Sequence, residues 1–478
     1  MTRMQTARWA TFLAGTLLVP ATSFAGGFMV ARFGGEHGNP MASNATSIYY
    51  NPAGLAGMVG TSIYVEGLFA FRSLSYDRDP RAIDRQNAPS DYVAADSGKG
   101  QLTNIIVSPF IGVATDFGVE GLGVGIALFT PFGGQAKFDK NDQYKSGTAF
   151  PGAYDGAQRW QDIEGTIRST YVSLGAGYKL PFGLSVGLSA SAVLSVINDI
   201  RAYNPDGSDD LNQSSTDPTL KEGRGWVDVS NVTLALGVGL LYSPPDLPDL
   251  KIGLSYQSQP GFGNNILKGT VNIKVGAAPA TVAPNGAVEQ ALPDVIRFGV
   301  SYRAMKELEL NLWGQFERWS VFKSQCIRNA DAANSSCSID DRGQTTGSAV
   351  VISNIPRAWK NSVSVHASGY YQVNTDLEVG GGLSFTQSAV PDSTLDSALP
   401  DFNELAINVA GTYALLDGRL KLTLGFTQFI FFSRTLDPQP RVEGERQAPY
   451  ASPTRQADNA GTYKSSISLL TAGVGYTF

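Results

Sequence analysis

The sequence predicts an all-β protein, a transmembrane antiparallel β-barrel of about 14 strands with an N-terminal hatch inside the lumen. Three observations predict it. Segments of about ten residues alternate apolar with small or polar side chains, short connections alternate with long ones, and the final residue, Phe478, ends an alternating strand on an aromatic. Composition agrees. The 478 residues include 53 glycines, 19 tyrosines and 24 phenylalanines, and only 16% are charged, against about a quarter in ordinary soluble domains. A mean hydropathy of -0.07 is too polar for a bundle of membrane helices.

The first 25 residues read as a secretory signal peptide. Arg3 and Arg8 form a positive start, Trp9 to Val19 an apolar run, and Ser23-Phe24-Ala25 a cleavage site of small-residue type. A membrane anchor needs about 20 apolar residues, and this run is shorter. Loss of the two arginines takes the net charge from -6 to -8. An acidic exported protein is a poor partner for nucleic acid.

Residues 26–60 do not alternate. GGEHGNPMASNATSIYYNPAGLAGM is rich in small residues and reads as helical turns and loops, so this segment is the expected hatch. A barrel of this strand number has an interior wide enough to leak unless something fills it.

Residues 61–478 carry the barrel. In LSVGLSASAVLS, Leu184, Val186, Leu188, Ala190, Ala192 and Leu194 share one face, and Ser185, Gly187, Ser189, Ser191 and Ser195 the other. That is a strand with one lipid-facing side and one small, polar side. The alternation recurs at Val232 to Tyr242, Leu308 to Leu312, Leu377 to Phe385, Leu420 to Phe426 and Leu470 to Phe478. Tight turns near 117–120, 181–183, 244–249, 304–306, 373–375 and 416–418 alternate with long polar stretches near 74–100, 139–166, 202–226, 277–291, 324–357, 391–401 and 435–462. Short periplasmic turns and long external loops are the outer-membrane pattern. A soluble sandwich or propeller would bury its apolar face and has no need of long loops on one side only.

One strand carries a breaker. ALFTPFGGQAKF, residues 127–138, contains Thr130-Pro131-Phe132-Gly133-Gly134. Proline cannot donate a ladder hydrogen bond, and paired glycines permit a bend that side chains resist. Leu122, Val124, Ile126 and Leu128 face lipid here, and Gly123, Gly125, Ala127 and Phe129 face inward. The breaker predicts a local gap between this strand and its neighbour; the alternative is a bulge at the external rim.

Cys326 and Cys337 lie in one polar stretch, SQCIRNADAANSSCSID. In an exported protein two close cysteines most simply form a local disulfide, with a pair of unlinked thiols as the alternative. No Cys or His cluster surrounds them, so no metal site is expected. The acidic loop NPDGSDDLN lacks the glycine spacing and distal glutamate of a standard calcium loop. The metalloprotease motif H-E-x-x-H and the redox motif C-x-x-C are missing too. Histidine occurs only at His37, in the hatch, and at His366, on the polar face of SVSVHASGYY. No enzyme and no cofactor are expected.

NATSIYYNPAGLAGM, LPDVIRFGVSYR, LELNLWGQFERWSVF and the stretch from Trp359 to Asn403 resemble the long-chain fatty acid transporter family of the outer membrane, FadL/TodX type. The final GTYKSSISLLTAGVGYTF is similar to its last strand. Members often carry Asp where Asn44 stands. The resemblance implies a 14-stranded barrel closed by a hatch, in which Asn51, Pro52 and Ala53 form the hatch motif. It implies capture of hydrophobic molecules near the external loops, an internal pocket, and sideways release into the membrane at a kink in the third strand. It also implies that Arg201 and Lys360 meet a substrate carboxylate. Long-chain fatty acids are the leading substrate, with aromatic hydrocarbons or alkanes next. A general porin and a lipid-modifying outer-membrane enzyme are the readings from other classes. Outer-membrane lipid and lipopolysaccharide are the expected surroundings, and a monomer the expected state.

Overall fold

The computed structural model describes Phe28 and residues 32–439, 441–442, 445–446 and 451–478. The expected signal peptide, residues 1–25, lies outside them. Its strands in chain order are β1 (Thr61–Arg78), β2 (Gly98–Thr115), β3 (Leu122–Lys137), β4 (Glu164–Lys179), β5 (Leu184–Tyr203), β6 (Gly223–Tyr242) and β7 (Leu250–Gln257). There follow β8 (Ile266–Lys274), β9 (Thr281–Glu289), β10 (Val295–Met305), β11 (Leu308–Glu317), β12 (Ser324–Asn329), β13 (Ser353–Pro356) and β14 (Ser362–Gln372). The last are β15 (Leu377–Thr386), β16 (Glu404–Leu415), β17 (Leu420–Phe431), β18 (Arg434–Leu436), β19 (Arg441–Val442), β20 (Glu445–Arg446) and β21 (Gly461–Thr477).

Fourteen of them close a barrel. The wall runs β1 to β7, then β10, β11, β14 to β17 and β21, each antiparallel to the next. β1 pairs with β21 along its length, from Ser62↔Thr477 to Arg78↔Gly461, so the sheet closes on itself. No described helix is long and apolar enough to cross a membrane.

The outward face follows the period of two. Along β6, Val232, Leu234, Leu236, Val238, Leu240 and Tyr242 are exposed, and above them Asp228 and Ser230 take the same face. The apolar band ends there. Inward, small hydroxyls pair across strands, with Ser173 Oγ 2.6 Å from Ser191 Oγ and Ser169 Oγ 2.8 Å from Ser195 Oγ.

β5 and β6 have 20 residues each, about twice what a span requires. Their upper halves rise beyond the band, and β8, β9, β12 and β13 build the same wall there. The stretches 277–291 and 324–357, read above as polar loops, therefore contain strands. Both faces of these upper strands meet protein or water, so the apolar alternation that marks a membrane strand is missing from them.

Buried ion pairs tie the external loops into a cap. Arg78 joins Asp96 (3.0 Å) and Asp209, Arg159 joins Asp96 (2.9 Å) and Glu222 (3.1 Å), and Arg224 joins Glu222 (2.6 Å) and Asp155 (2.5 Å). Cys326 and Cys337 are bonded to each other within the external region.

Candidate functional site: a broken wall beside the hatch

The β2–β3 ladder runs from Thr115↔Val124 to Phe110↔Phe129 and stops, although β3 continues to Lys137. On the other side β3 pairs with β4 through Phe129↔Tyr171 and resumes at Phe132↔Ser169, so Thr130 and Pro131 oppose the single Thr170. That is a β-bulge, which bends the strand that carries it. The bend points inward. Thr130, Pro131, Phe132, Gly133 and Gly134 are all buried, and the alternation that holds up to Phe129 is lost.

β2 contributes its own breaker, Pro109, next to the last rung. The sequence reading missed it, although a proline inside an alternating strand is the same signal as Pro131. Its outward neighbours fix the depth. Ile105, Val107, Ile111 and Val113 lie on the lipid face of β2, and Ile105 is 62% exposed beside the gap. The break thus lies in the apolar band, below the rim.

Little protein spans the opening. Arg72 Nη1 and Asn104 Nδ2 donate to Gln135 O at 3.1 and 3.2 Å, and Asp139 N donates to Gln101 O at 2.8 Å where the strands meet again. A second interruption, between β7 and β8, leaves β6 residues 231–236 outside the ladder. Side chains stitch that one shut: Asn231 Nδ2 donates to Asn265 Oδ1 (2.7 Å), and Ser258 bonds Leu236 through both its backbone and its hydroxyl.

From inside, the start of the hatch covers the β3 break. Gly133 N donates to Phe28 O at 2.9 Å. The Phe28 ring packs against Phe132, Trp319, Phe322 and Trp359, with centroids 5.1 to 6.4 Å apart. This aromatic cluster backs the break on the lumen side.

The rest of the hatch is held around the whole circumference. Glu66 on β1 accepts from Gly34 N (3.0 Å), Ser255 on β7 donates to Tyr50 O (2.6 Å), Arg297 on β10 donates to Tyr49 O (3.3 Å), and His37 bonds Glu378 on β15 (2.6 Å). The Asn51-Pro52-Ala53 motif is buried against β5 and β6. Asn51 Nδ2 donates to Pro40 O (2.7 Å) and Leu240 O (2.9 Å), while its Oδ1 caps the 3₁₀ turn Pro52–Gly57 at Ala53 N (3.1 Å). Inward glycines make room for it. A methyl group at Gly123, Gly187 or Gly239 would lie 1.8 Å from Leu55 O, 2.1 Å from Ala53 N and 1.9 Å from Asn51 Oδ1 respectively. Below the hatch a vestibule of about 700 Å³ is lined by His37, Asn44, Tyr370 and Glu378.

The two expected cations do not converge. Arg201 is buried beside Trp160, with Nη1 donating to Gln456 Oε1 (3.2 Å) and Nη2 to Ser353 Oγ (3.0 Å). Lys360 is exposed and lines neither cavity that borders Arg201. Arg357 takes the inward position instead, bonded to Asp396 (2.6 Å) and Gln325 (2.9 Å). The alternation slips by one residue between buried Trp359 and buried Ser362, so counting from the strand puts Lys360 on the wrong face. His366 stacks on Trp313 at 3.8 Å, a wall contact. Among the described residues no group of His, Cys, Asp and Glu could hold a metal ion.

Residues 9–478 match the model of the outer membrane protein transport family OMPP1/FadL/TodX. The chain belongs to this family. It is thus an outer-membrane transport protein of the FadL/TodX kind, built on the expected barrel and hatch. The fold resembles that of a Pseudomonas aeruginosa FadL homologue, with TM-score 0.70 at 14% identity, covering 96% of this chain and 99% of that one. It also resembles the Pseudomonas putida toluene transporter TodX, with TM-score 0.62 at 13% identity over 91% and 94% of the two chains. A Neisseria meningitidis serogroup B protein described as an outer membrane protein is 29% identical over 138 residues, 27% of this chain and 28% of its own length.

Proposed function

We propose that this FadL/TodX family member carries hydrophobic compounds passively across the outer membrane and releases them sideways through the break at Thr130–Gly134. The carrying observation is the β2–β3 ladder that ends at Phe110↔Phe129 while β3 runs on, buried, past Pro131. An apolar molecule gains nothing from a water-filled path to the periplasm and gains by leaving straight into lipid. External loops capture the compound, the lumen holds it, and withdrawal of the hatch start from Gly133 opens the exit. The chain acts as a monomer, exported on residues 1–25 and set among outer-membrane lipid and lipopolysaccharide.

Long-chain fatty acids lead the substrate classes, and aromatic hydrocarbons or alkanes follow. Arg201, hydrogen-bonded to Gln456 and Ser353 and without Lys360 beside it, offers a carboxylate less than the expected pair would. The reading therefore widens to hydrophobic compounds generally, with fatty acids among them.

Straightening β3 tests the exit. Cells without other transporters of this kind would carry the parent chain or Pro131→Val with Gly133→Val, and uptake of labelled oleate and toluene would be followed. The double variant is expected to lose uptake at least tenfold while still running as a folded, heat-modifiable barrel. Uptake at the parent rate would reduce the break to a structural bulge. Large, steady single-channel conductance in the parent chain would favour a general porin.

A further inference from the structure

A cavity of about 60 Å³ lies just inside the kink, between the upper ends of β3, β4 and β5. That is room for a head group, since one water-sized group needs about 10–15 Å³ of such space. Its apolar lining includes Ile167, Ile197 and Leu399, and its polar lining includes Asp162, Asp199 and Arg357.

Two of these polar groups are buried with an atom left unsatisfied. Asp162 is 2% exposed and its Oδ1 has no hydrogen-bond partner; Arg357 is 3% exposed and its Nε has none. Buried polar atoms are nearly always paired, so two orphans bordering one cavity call for a partner. One orphan is an acceptor and the other a donor. A hydroxyl group, which donates one hydrogen and accepts through its lone pairs, serves both.

Charge decides against an anion. Asp162 and Asp199 converge over Gly165, where a methyl group would lie 3.3 Å from Asp162 Oδ1 and 2.9 Å from Asp199 Oδ1. The cation on the lining, Arg357, already holds Asp396 at 2.6 Å. Burial and the neighbouring Asp199 push the Asp162 carboxyl well above the usual range, so the two share a proton. An incoming carboxylate would meet the charge the pair keeps, poorly screened in a buried site.

We propose that this cavity seats the hydroxyl end of an otherwise apolar molecule, such as a long-chain alcohol or a hydroxylated hydrocarbon, and turns away an ionised carboxylate. The proposal rests on the transport reading above and names a substrate class within it. The hydroxyl donates to Asp162 Oδ1 and accepts from Arg357 Nε–H, while the chain extends along the apolar lining toward the break in the wall.

Equilibrium dialysis of the full chain in nanodiscs at pH 8 tests this with labelled 1-dodecanol, dodecanoate and dodecane. The alcohol is expected to bind at least tenfold more tightly than the carboxylate. Asp162→Asn with Asp199→Asn keeps the shape, removes the charge of the carboxyl pair, and is expected to shrink that ratio at least fivefold. Should the double variant fail to fold, the single variants Asp162→Asn and Asp199→Asn are read in the same way, each expected to shrink the ratio in part. Dodecanoate binding as tightly as dodecanol to the parent chain, or an unchanged ratio in the variants, overturns the hydroxyl preference while leaving transport intact. Failure of all three probes to bind overturns the transport reading itself.

Discussion

Gly187→Ala is expected to give a folded barrel that leaks ions. The added methyl group would sit 2.1 Å from Ala53 N and 2.2 Å from Pro52 C, and both are backbone atoms that no rotamer change can move aside. The 3₁₀ turn Pro52–Gly57 must therefore lift from the wall, and Asn51 loses its bond to Leu240 O. Overpacking of this kind costs about 1–3 kcal/mol. The hatch pays it, because the barrel ladder of β4, β5 and β6 is continuous at this level whereas the hatch is held by side-chain contacts. Gly239→Ala, with its methyl 1.9 Å from Asn51 Oδ1, should act alike, and Gly425→Ala, whose nearest neighbour is 3.5 Å away, should not. Planar-bilayer recordings would read the difference as new steady conductance in the first two variants. Equal conductance in Gly187→Ala and Gly425→Ala would mean that the glycine seat does not hold the hatch.

Those glycines show where reading from sequence succeeds and where it stops. Ser185, Gly187 and Ser191 were legible as the small, inward side of β5, because a period of two is a local property that every strand repeats. Why that side is small was not legible. The reason is Ala53, more than a hundred residues away, and nothing in the local pattern encodes the approach. The kink divides in the same way. Pro131, Gly133 and Gly134 mark a weak ladder on sight, but the gap also takes Pro109 on the neighbouring strand β2, beside the last rung. Depth became readable only once Ile105 to Val113 could be placed beside it. Lys360 was named by the family resemblance, and the one-residue slip of phase between buried Trp359 and buried Ser362, which sets it on the exposed side, is something a motif match does not encode. Asp162 and Arg357 belong to segments 195 residues apart in number, and their joint cavity exists only in the closed fold.

Arg159→Met is expected to unlatch the external cap while sparing the barrel. The Arg159 guanidinium is fully buried and reaches Asp96, Glu222 and the carbonyls of Ala95 and Gly156. Removing one partner from a buried pair leaves uncompensated charge and costs about 3–5 kcal/mol. Arg78 and Arg224 remain to Asp96 and Glu222, which keeps the loss local. Loops 79–97, 139–163 and 204–222 meet at this network, so the variant should be nicked there by external protease at least tenfold faster, with the heat-resistant barrel unchanged. Acid should expose the same latch. Burial pushes the Glu222 carboxyl up, but Arg159 and Arg224 outweigh it and hold it below the usual carboxylate range. A depressed folded pKa contributes stability above the unfolded pKa and loses it as pH falls through the folded one. With Arg159 gone, burial faces one cation in place of two, Glu222 takes its proton at higher pH, and protease sensitivity should begin at milder acid than in the parent chain. Identical onset in the two proteins would show that the cap is held by its backbone contacts, with Glu222 and its arginines contributing little.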